Sequence, residues 1–200
     1  MSTKLLFLPG ASGNTAFWRP VADLLTHPGE RIHFGWPGFA ATSPDPAVAG
    51  FEDLVGRVTA EIDRPTALIA QSMGGVIALR AALEKPEWVT HLVLTATSGG
   101  IDLSDLEVQD WRPTLHAAHP SLPLWFANDK QDLTAELGNI KASALLLWGD
   151  MDPISPVAVG ERLASLLPRA ELHVLSGGNH DLANALAQLA APLIDQYLAS

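Results

Sequence analysis

Apolar and polar positions along the chain alternate between two rhythms. Short runs with little polar interruption occupy Leu5–Leu8, Arg31–Phe34, Thr66–Ala70, His91–Thr95, Ala144–Trp148 and Glu171–Leu175. Runs this short and this apolar read as strands buried on both faces. Between them lie Trp18–Thr26, Phe51–Ile62, Met73–Glu84, Val157–Leu167 and Leu182–Leu198. These carry apolar residues at roughly helical spacing, as in Leu54, Val55, Val58 and Ile62. Strand-helix alternation over the whole length predicts βαβ crossovers. The fold class is therefore α/β, a doubly wound, mostly parallel sheet of about six strands with helices on both faces.

One interval breaks the rhythm. From about Ile101 to Lys141 the chain is irregular and holds Trp111, Leu115, Leu122, Leu124, Trp125 and Phe126. A structureless loop of that length inside a compact domain is rare unless it serves as a lid or binding element. The expectation is one domain over residues 1–200 with a small helical lid at about 101–141, lying over the sheet edge. Its aromatic residues, Trp111, Trp125 and Phe126 foremost, are candidates to hold an apolar acyl or aromatic group of a substrate. The alternative is that they only cover the sheet's apolar edge.

Composition narrows the function classes. Of 200 residues 48% are hydrophobic and 17% charged, with six Trp, which suits a chain with one packed core. Asp and Glu number 22 against 12 Lys and Arg, a net charge of −10, and no basic run is present. That balance argues against nucleic acid or an anionic membrane as partner and leaves a small molecule. The absence of cysteine excludes disulfides and thiolate chemistry. The apolar run at Leu5–Leu8 is too short for a signal peptide, and no stretch approaches the ~18 residues of a membrane span. The expected location is cytoplasmic.

The densest chemical signal is Ala70-Gln71-Ser72-Met73-Gly74-Gly75, where a predicted strand runs straight into a predicted helix. Such a turn strains the serine backbone, aims its hydroxyl outward and leaves the Met73 N–H free to face an oxyanion. The bland alternative is a tight turn or phosphate loop; a P-loop lacks its Lys-Ser/Thr pair here. In chain order a carboxylate and a histidine follow. Gly149-Asp150-Met151-Asp152-Pro153 closes the fifth strand, and Ser176-Gly177-Gly178-Asn179-His180 closes the sixth.

These segments resemble the α/β-hydrolase superfamily, from its serine-nucleophile, esterase-like members with a short lid. The turn at Ser72 is similar to the G-x-S-x-G nucleophile elbow, with Ala70 in place of the first glycine. The resemblance implies a triad of Ser72 as nucleophile, His180 as general base and Asp152 as orienting acid. Asp150 remains the rival for the last role, with a turn or capping residue as its bland reading. Leu8-Pro9-Gly10-Ala11 resembles the loop that supplies the second oxyanion donor, so the Ala11 N–H is expected beside that of Met73. Pro9 stands where the family usually carries histidine. The chain begins on the strand ahead of this loop, so the sheet order is expected to be 2-1-3-4-5-6.

Trp36-Pro37-Gly38-Phe39-Ala40-Ala41-Thr42-Ser43 also resembles a family turn and is assigned no chemistry. His116 and His119 form an H-x-x-H pair whose expected role is lid surface or substrate contact, with metal the lesser alternative.

The implied activity is carboxylesterase- or thioesterase-like hydrolysis of a small, apolar or aromatic acyl substrate through an acyl-enzyme, with no metal or organic cofactor. Carbon–carbon bond hydrolysis, acyl transfer or perhydrolysis with the same triad remain open, as does a hydrolase-like binder without turnover. A histidine base implies that kcat/KM falls on the acid side, where imidazole titrates.

Overall fold

The computed structural model describes residues 3–39, 42–120, 122–123, 125–126 and 130–199. Ala40, Ala41 and Leu124 lie outside the described residues, as does the side chain of His116.

Six strands form one parallel sheet: β1 (Lys4–Leu8), β2 (Glu30–His33), β3 (Thr66–Gln71), β4 (Val89–Thr95), β5 (Ser143–Gly149) and β6 (Ala170–Leu175). Their spatial order is β2-β1-β3-β4-β5-β6, as the sequence leads one to expect. In register, Leu8 lies beside Ala70 and Ala70 beside Leu94, so the carboxyl ends of β1, β3 and β4 are level. That edge is where the loops carrying the candidate residues emerge.

The strands lack polar alternation because both faces are covered. Leu6, Leu8, Leu68, Leu92, Leu94, Leu146 and Trp148 pack on one side, with α2 (Phe51–Ala60), α3 (Met73–Glu84) and α5 (Val157–Leu166). Leu5, Phe7, Ala67, Ile69, Val93, Leu145 and Leu147 pack on the other, with α1 (Arg19–Ala22), α6 (Leu182–Ala185) and α7 (Ala187–Leu198). Successive side chains alternate between the two cores, and each core demands an apolar residue.

Two helices differ from expectation. The segment Trp18–Thr26 is helical only over Arg19–Ala22; beyond it the N–H groups of Leu24 and Leu25 both turn to the Val21 carbonyl, and those of Thr26 and His27 bond the Asp195 carboxylate at 2.7 and 3.1 Å. The last helix breaks at Leu186, whose φ and ψ are −113° and 35°. Each half then aims its own apolar residues at the sheet, Leu182 and Ala183 before the break, Ala190 and Ile194 after it.

The β4–β5 connection carries α4 (Arg112–Ala118) and a 3-10 turn at Leu137–Asn139. It lies above Ser72 at the carboxyl ends of the strands, where Leu103, Trp111 and Leu115 share a cavity wall with the serine, instead of over the sheet edge. Among the described residues no helix is long and apolar enough to cross a membrane.

Candidate active site

Ser72 joins β3 to α3 with φ 52° and ψ −120°, a conformation that an L residue adopts at a cost of order 1–3 kcal/mol. The surroundings hold it there. Its N–H donates to the Thr95 carbonyl at 3.0 Å, and its own carbonyl accepts from the Gly75 N–H at 2.9 Å and the Thr97 hydroxyl at 2.7 Å. Gly74 lets the helix start against β1: a Cβ there would lie 2.6 Å from the carbonyl oxygens of both Leu8 and Pro9. Ala70 tolerates its methyl because it is a fully buried strand residue facing the first core.

His180 and Asp152 meet this serine. His180 Nε2 lies 3.2 Å from Ser72 Oγ, and Nδ1 lies 2.9 Å from Asp152 Oδ2. The Asp152 side chain is wholly buried while that of His180 is 24% exposed. Asp152 keeps its carboxylate fixed because Oδ1 accepts the Ile154 and Ser155 N–H groups at 2.9 and 3.1 Å. Ser155 secures that turn in its own right, accepting from Trp148 Nε1 at 3.1 Å and donating to the Thr97 carbonyl at 3.3 Å. Asp150 does something else: its Oδ1 accepts the Gly177 N–H at 2.7 Å, tying the β5 loop to the β6 loop. Of the two aspartates it is Asp152 that faces the histidine.

The loop after β1 is held by two buried tryptophans. Trp18 Nε1 donates to the Leu8 carbonyl at 3.0 Å, and Trp36 Nε1 to those of Pro9 and Gly10 at 3.0 and 3.1 Å. With these carbonyls anchored, Ala11 sits beside Ser72 and Met73 on one cavity. Met73 is the first residue of α3, so its N–H has no carbonyl one turn back to bind.

The cavity measures about 810 Å³ and is lined by Ser72, His180, Ala11 and Met73 at one end and by Val76, Trp111 and Phe126 beyond. Trp111 and Phe126 face each other at 5.2 Å. Trp125 is not on this wall. Its ring stands at 89° to that of Phe126 and packs edge-on against Phe39 at 6.0 Å, so it supports the aromatic wall from behind. Charged side chains also line the cavity: Asp102, Asp110, Asp132 and Asp181, with Arg112 and Lys130. The Arg112 N–H and guanidinium hold the Asp110 carboxyl below the usual carboxylate range, and the Thr134 hydroxyl and N–H do the same for Asp132. Among the described residues no group of three or more His, Asp or Glu side chains could hold a metal ion.

Three contributors escaped the sequence reading. Thr97 and Ser155 support the serine and aspartate turns, and Gln71 is buried at the cavity floor. For Gln71 and Thr97 the available signal was an amide or hydroxyl at or just past a strand end; Ser155, six residues after β5, carried none.

A family model described as the alpha/beta hydrolase family matches residues 5–106. A 2-hydroxy-6-oxononadienedioate/2-hydroxy-6-oxononatrienedioate hydrolase of Paraburkholderia phymatum is 31% identical over 226 positions, covering 86% of this chain and 77% of that protein. A pimeloyl-(acyl-carrier protein) methyl ester esterase of Aliivibrio fischeri is 25% identical over 201 positions, covering 98% of this chain and 74% of its own. Among solved structures, a putative lipase from Acinetobacter baumannii has a TM-score of 0.82 at 22% identity, over 99% of this chain and 84% of that one. An esterase from Thermogutta terrifontis has a TM-score of 0.81 at 17% identity, over 100% of this chain and 90% of its own. At such identities the structural likeness speaks for the fold.

Proposed function

Because this chain belongs to the alpha/beta hydrolase family and is a hydrolase, we propose that it cleaves a carboxylic ester or thioester through Ser72, His180 and Asp152. The observation that carries this reading is the unbroken chain of contacts from Ser72 Oγ through both ring nitrogens of His180 to the buried Asp152 carboxylate.

In the acylation step His180 Nε2 takes the Ser72 proton as Oγ attacks the substrate carbonyl. Asp152 accepts the Nδ1–H bond, which fixes the tautomer and steadies the imidazolium. The Ala11 and Met73 N–H groups receive the developing oxyanion, and loss of one such donor typically costs about 3 kcal/mol in the barrier. His180 then protonates the leaving alcohol or thiol. In the second half the same imidazole takes a proton from water, hydroxide adds to the acyl carbon, and the acid departs as Ser72 recovers its proton. No step calls for a metal or organic cofactor.

Residues 101–141 act as the cap over the acyl group, with Trp111 and Phe126 as its aromatic wall and Trp125 buttressing Phe126. A cavity of about 810 Å³ with such a wall suits a small apolar or aromatic acyl chain. Reaction with a fluorophosphonate tests the reading: the wild type should label at Ser72, and Ser72→Ala should not. Rates on p-nitrophenyl esters and thioesters of graded length then define the acyl preference. Failure of the wild type to label under mild conditions would overturn the nucleophile assignment.

A further inference from the structure

Gln71 is the last residue of β3 and immediately precedes Ser72. It is a polar side chain only 4% exposed, at the floor of the cavity. Its Nε2 donates to the backbone carbonyl of His180 at 3.2 Å. Its Oε1 closes on the opposite loop so tightly that a Cβ on Gly10 would lie 2.2 Å from it. One amide thus touches the histidine loop and the loop after β1, while its backbone is bonded to the serine.

We infer that Gln71 is the positioning residue that holds His180 in register with Ser72 and the Gly10-Ala11 loop, an inference that rests on the serine-hydrolase reading above. The His180 loop needs such a tie. Gly177, at φ 75°, and Gly178 precede the histidine and offer no side chains to anchor it. The contacts Met151 N–H to Gly178 O and Gly177 N–H to Asp150 hold the start of that loop, two or three residues short of His180. Asn179 Oδ1 accepts the Asp181 N–H at 3.0 Å from within the loop, whereas Gln71 reaches the same peptide from the sheet. Moving the His180 carbonyl away would strand a buried amide donor, which costs about 1–3 kcal/mol. The His180 ring makes both of its contacts at ordinary hydrogen-bond length, and a displacement of about 1 Å at such a site can cost on the order of a hundredfold in rate. The same packing explains Gly10: any side chain there would drive Gln71 off its partner.

The test uses the full chain with Gln71→Met, which keeps the length and removes the donor, and Gln71→Asn, which stays polar but withdraws it. On p-nitrophenyl butyrate, kcat should fall roughly 10- to 100-fold in either folded variant, with KM within about threefold. The loss should sit in kcat per reactive serine, because a displaced imidazole slows proton transfer without emptying the substrate cavity. Labelling of Ser72 by a fluorophosphonate should slow in parallel.

A folded variant with wild-type kcat overturns the inference. So does a fall in kcat no larger than the fall in the end-point extent of Ser72 labelling, which is what a smaller folded fraction would give. If neither variant folds, Gln71 is a stabilising residue of the core and the positioning role falls. A wild type that does not label at all sinks the serine-hydrolase reading itself, a result distinct from any of these.

Discussion

Replacing Asp152 by Asn, with Asp150→Asn as its companion, separates two carboxylates that lie two residues apart on one turn. Asp152 Oδ1 accepts the N–H groups of Ile154 and Ser155, and Oδ2 faces His180 Nδ1 at 2.9 Å. An asparagine there must keep its oxygen on the two backbone donors, since burying its NH2 group against them would leave three donors without an acceptor. The NH2 group then points at Nδ1. The imidazole can meet it only by carrying its proton on Nε2, aimed at Ser72 Oγ, and so cannot take the serine proton. By analogy with the same change in the chymotrypsin triad, kcat should fall about 10⁴-fold, equivalent to about 5 kcal/mol of barrier.

Stability should change little, because the side chain keeps its shape and its backbone bonds. A loss beyond ~1 kcal/mol, or ~3 °C in Tm for a chain of this size, is not expected. Asp150→Asn keeps an oxygen for the Gly177 N–H, and its rate should stay within about threefold of wild type. Initial rates on p-nitrophenyl butyrate beside thermal melts provide the measurement. A tenth or more of wild-type kcat in Asp152→Asn, or a comparable collapse in Asp150→Asn, refutes the tautomer argument.

At the elbow, Gly74→Ala forces a methyl against the Leu8 and Pro9 carbonyls and should cost about 1–3 kcal/mol and most of the activity, whereas Ala70→Gly should cost under about 1 kcal/mol and keep activity within a few-fold; equal losses in melts and rates would contradict this asymmetry. The Asp195 carboxyl, which burial alone would push up, is held below the usual range by the Thr26 N–H and hydroxyl and the His27 N–H. Its contribution is therefore present above the unfolded carboxylate range and lost as pH falls through the folded value. The gap between acid melts of wild type and Asp195→Ala should narrow as pH falls below the ordinary carboxylate range, and at pH 7 the variant should be weaker by about 1–2 kcal/mol; parallel curves would show that the carboxylate contributes nothing. Around the cavity four aspartates stand against Arg112 and Lys130, and Arg112 is tied to Asp110 at 3.3 Å. A p-nitrophenyl hemisuccinate should thus turn over roughly tenfold more slowly than the butyrate at low salt, with the gap narrowing at high salt; a faster acidic ester would reverse the reading of the rim.

The parallel sheet was legible because a strand buried on both faces writes an unbroken apolar run. Leu5 through Leu8 serve the two cores in turn, and neither core tolerates a polar residue. Ser72, His180 and the Gly10-Ala11 loop were legible for a related reason: in an open parallel sheet, chemistry collects where strands end. Each of them stands in the loop after such a run. The early end of α1 and the break at Leu186 were not: apolar spacing runs on through both segments, and the Asp195 bonds that hold the chain at Thr26 and His27 come from far along the sequence, where no local pattern records them.

The same distinction explains the finer features of the site. Trp125 and Phe126 are neighbours of like chemistry, and only the folded chain shows that Phe126 lines the cavity while Trp125 packs edge-on against Phe39. Asp150 and Asp152 differ by which way one turn closes, which rests on Ser155 reaching back to the Thr97 carbonyl. At the elbow the family pattern asks for glycine on both sides of the serine, but the two demands differ in kind. Gly74 opposes backbone carbonyls that cannot retreat, and a methyl at Ala70 enters a side-chain core that can absorb it. A departure from the pattern at Ala70 therefore leaves Ser72 in its strained conformation, while the same substitution four residues later would not. What sequence resemblance marks as equivalent positions, packing separates into one that is required and one that is tolerated.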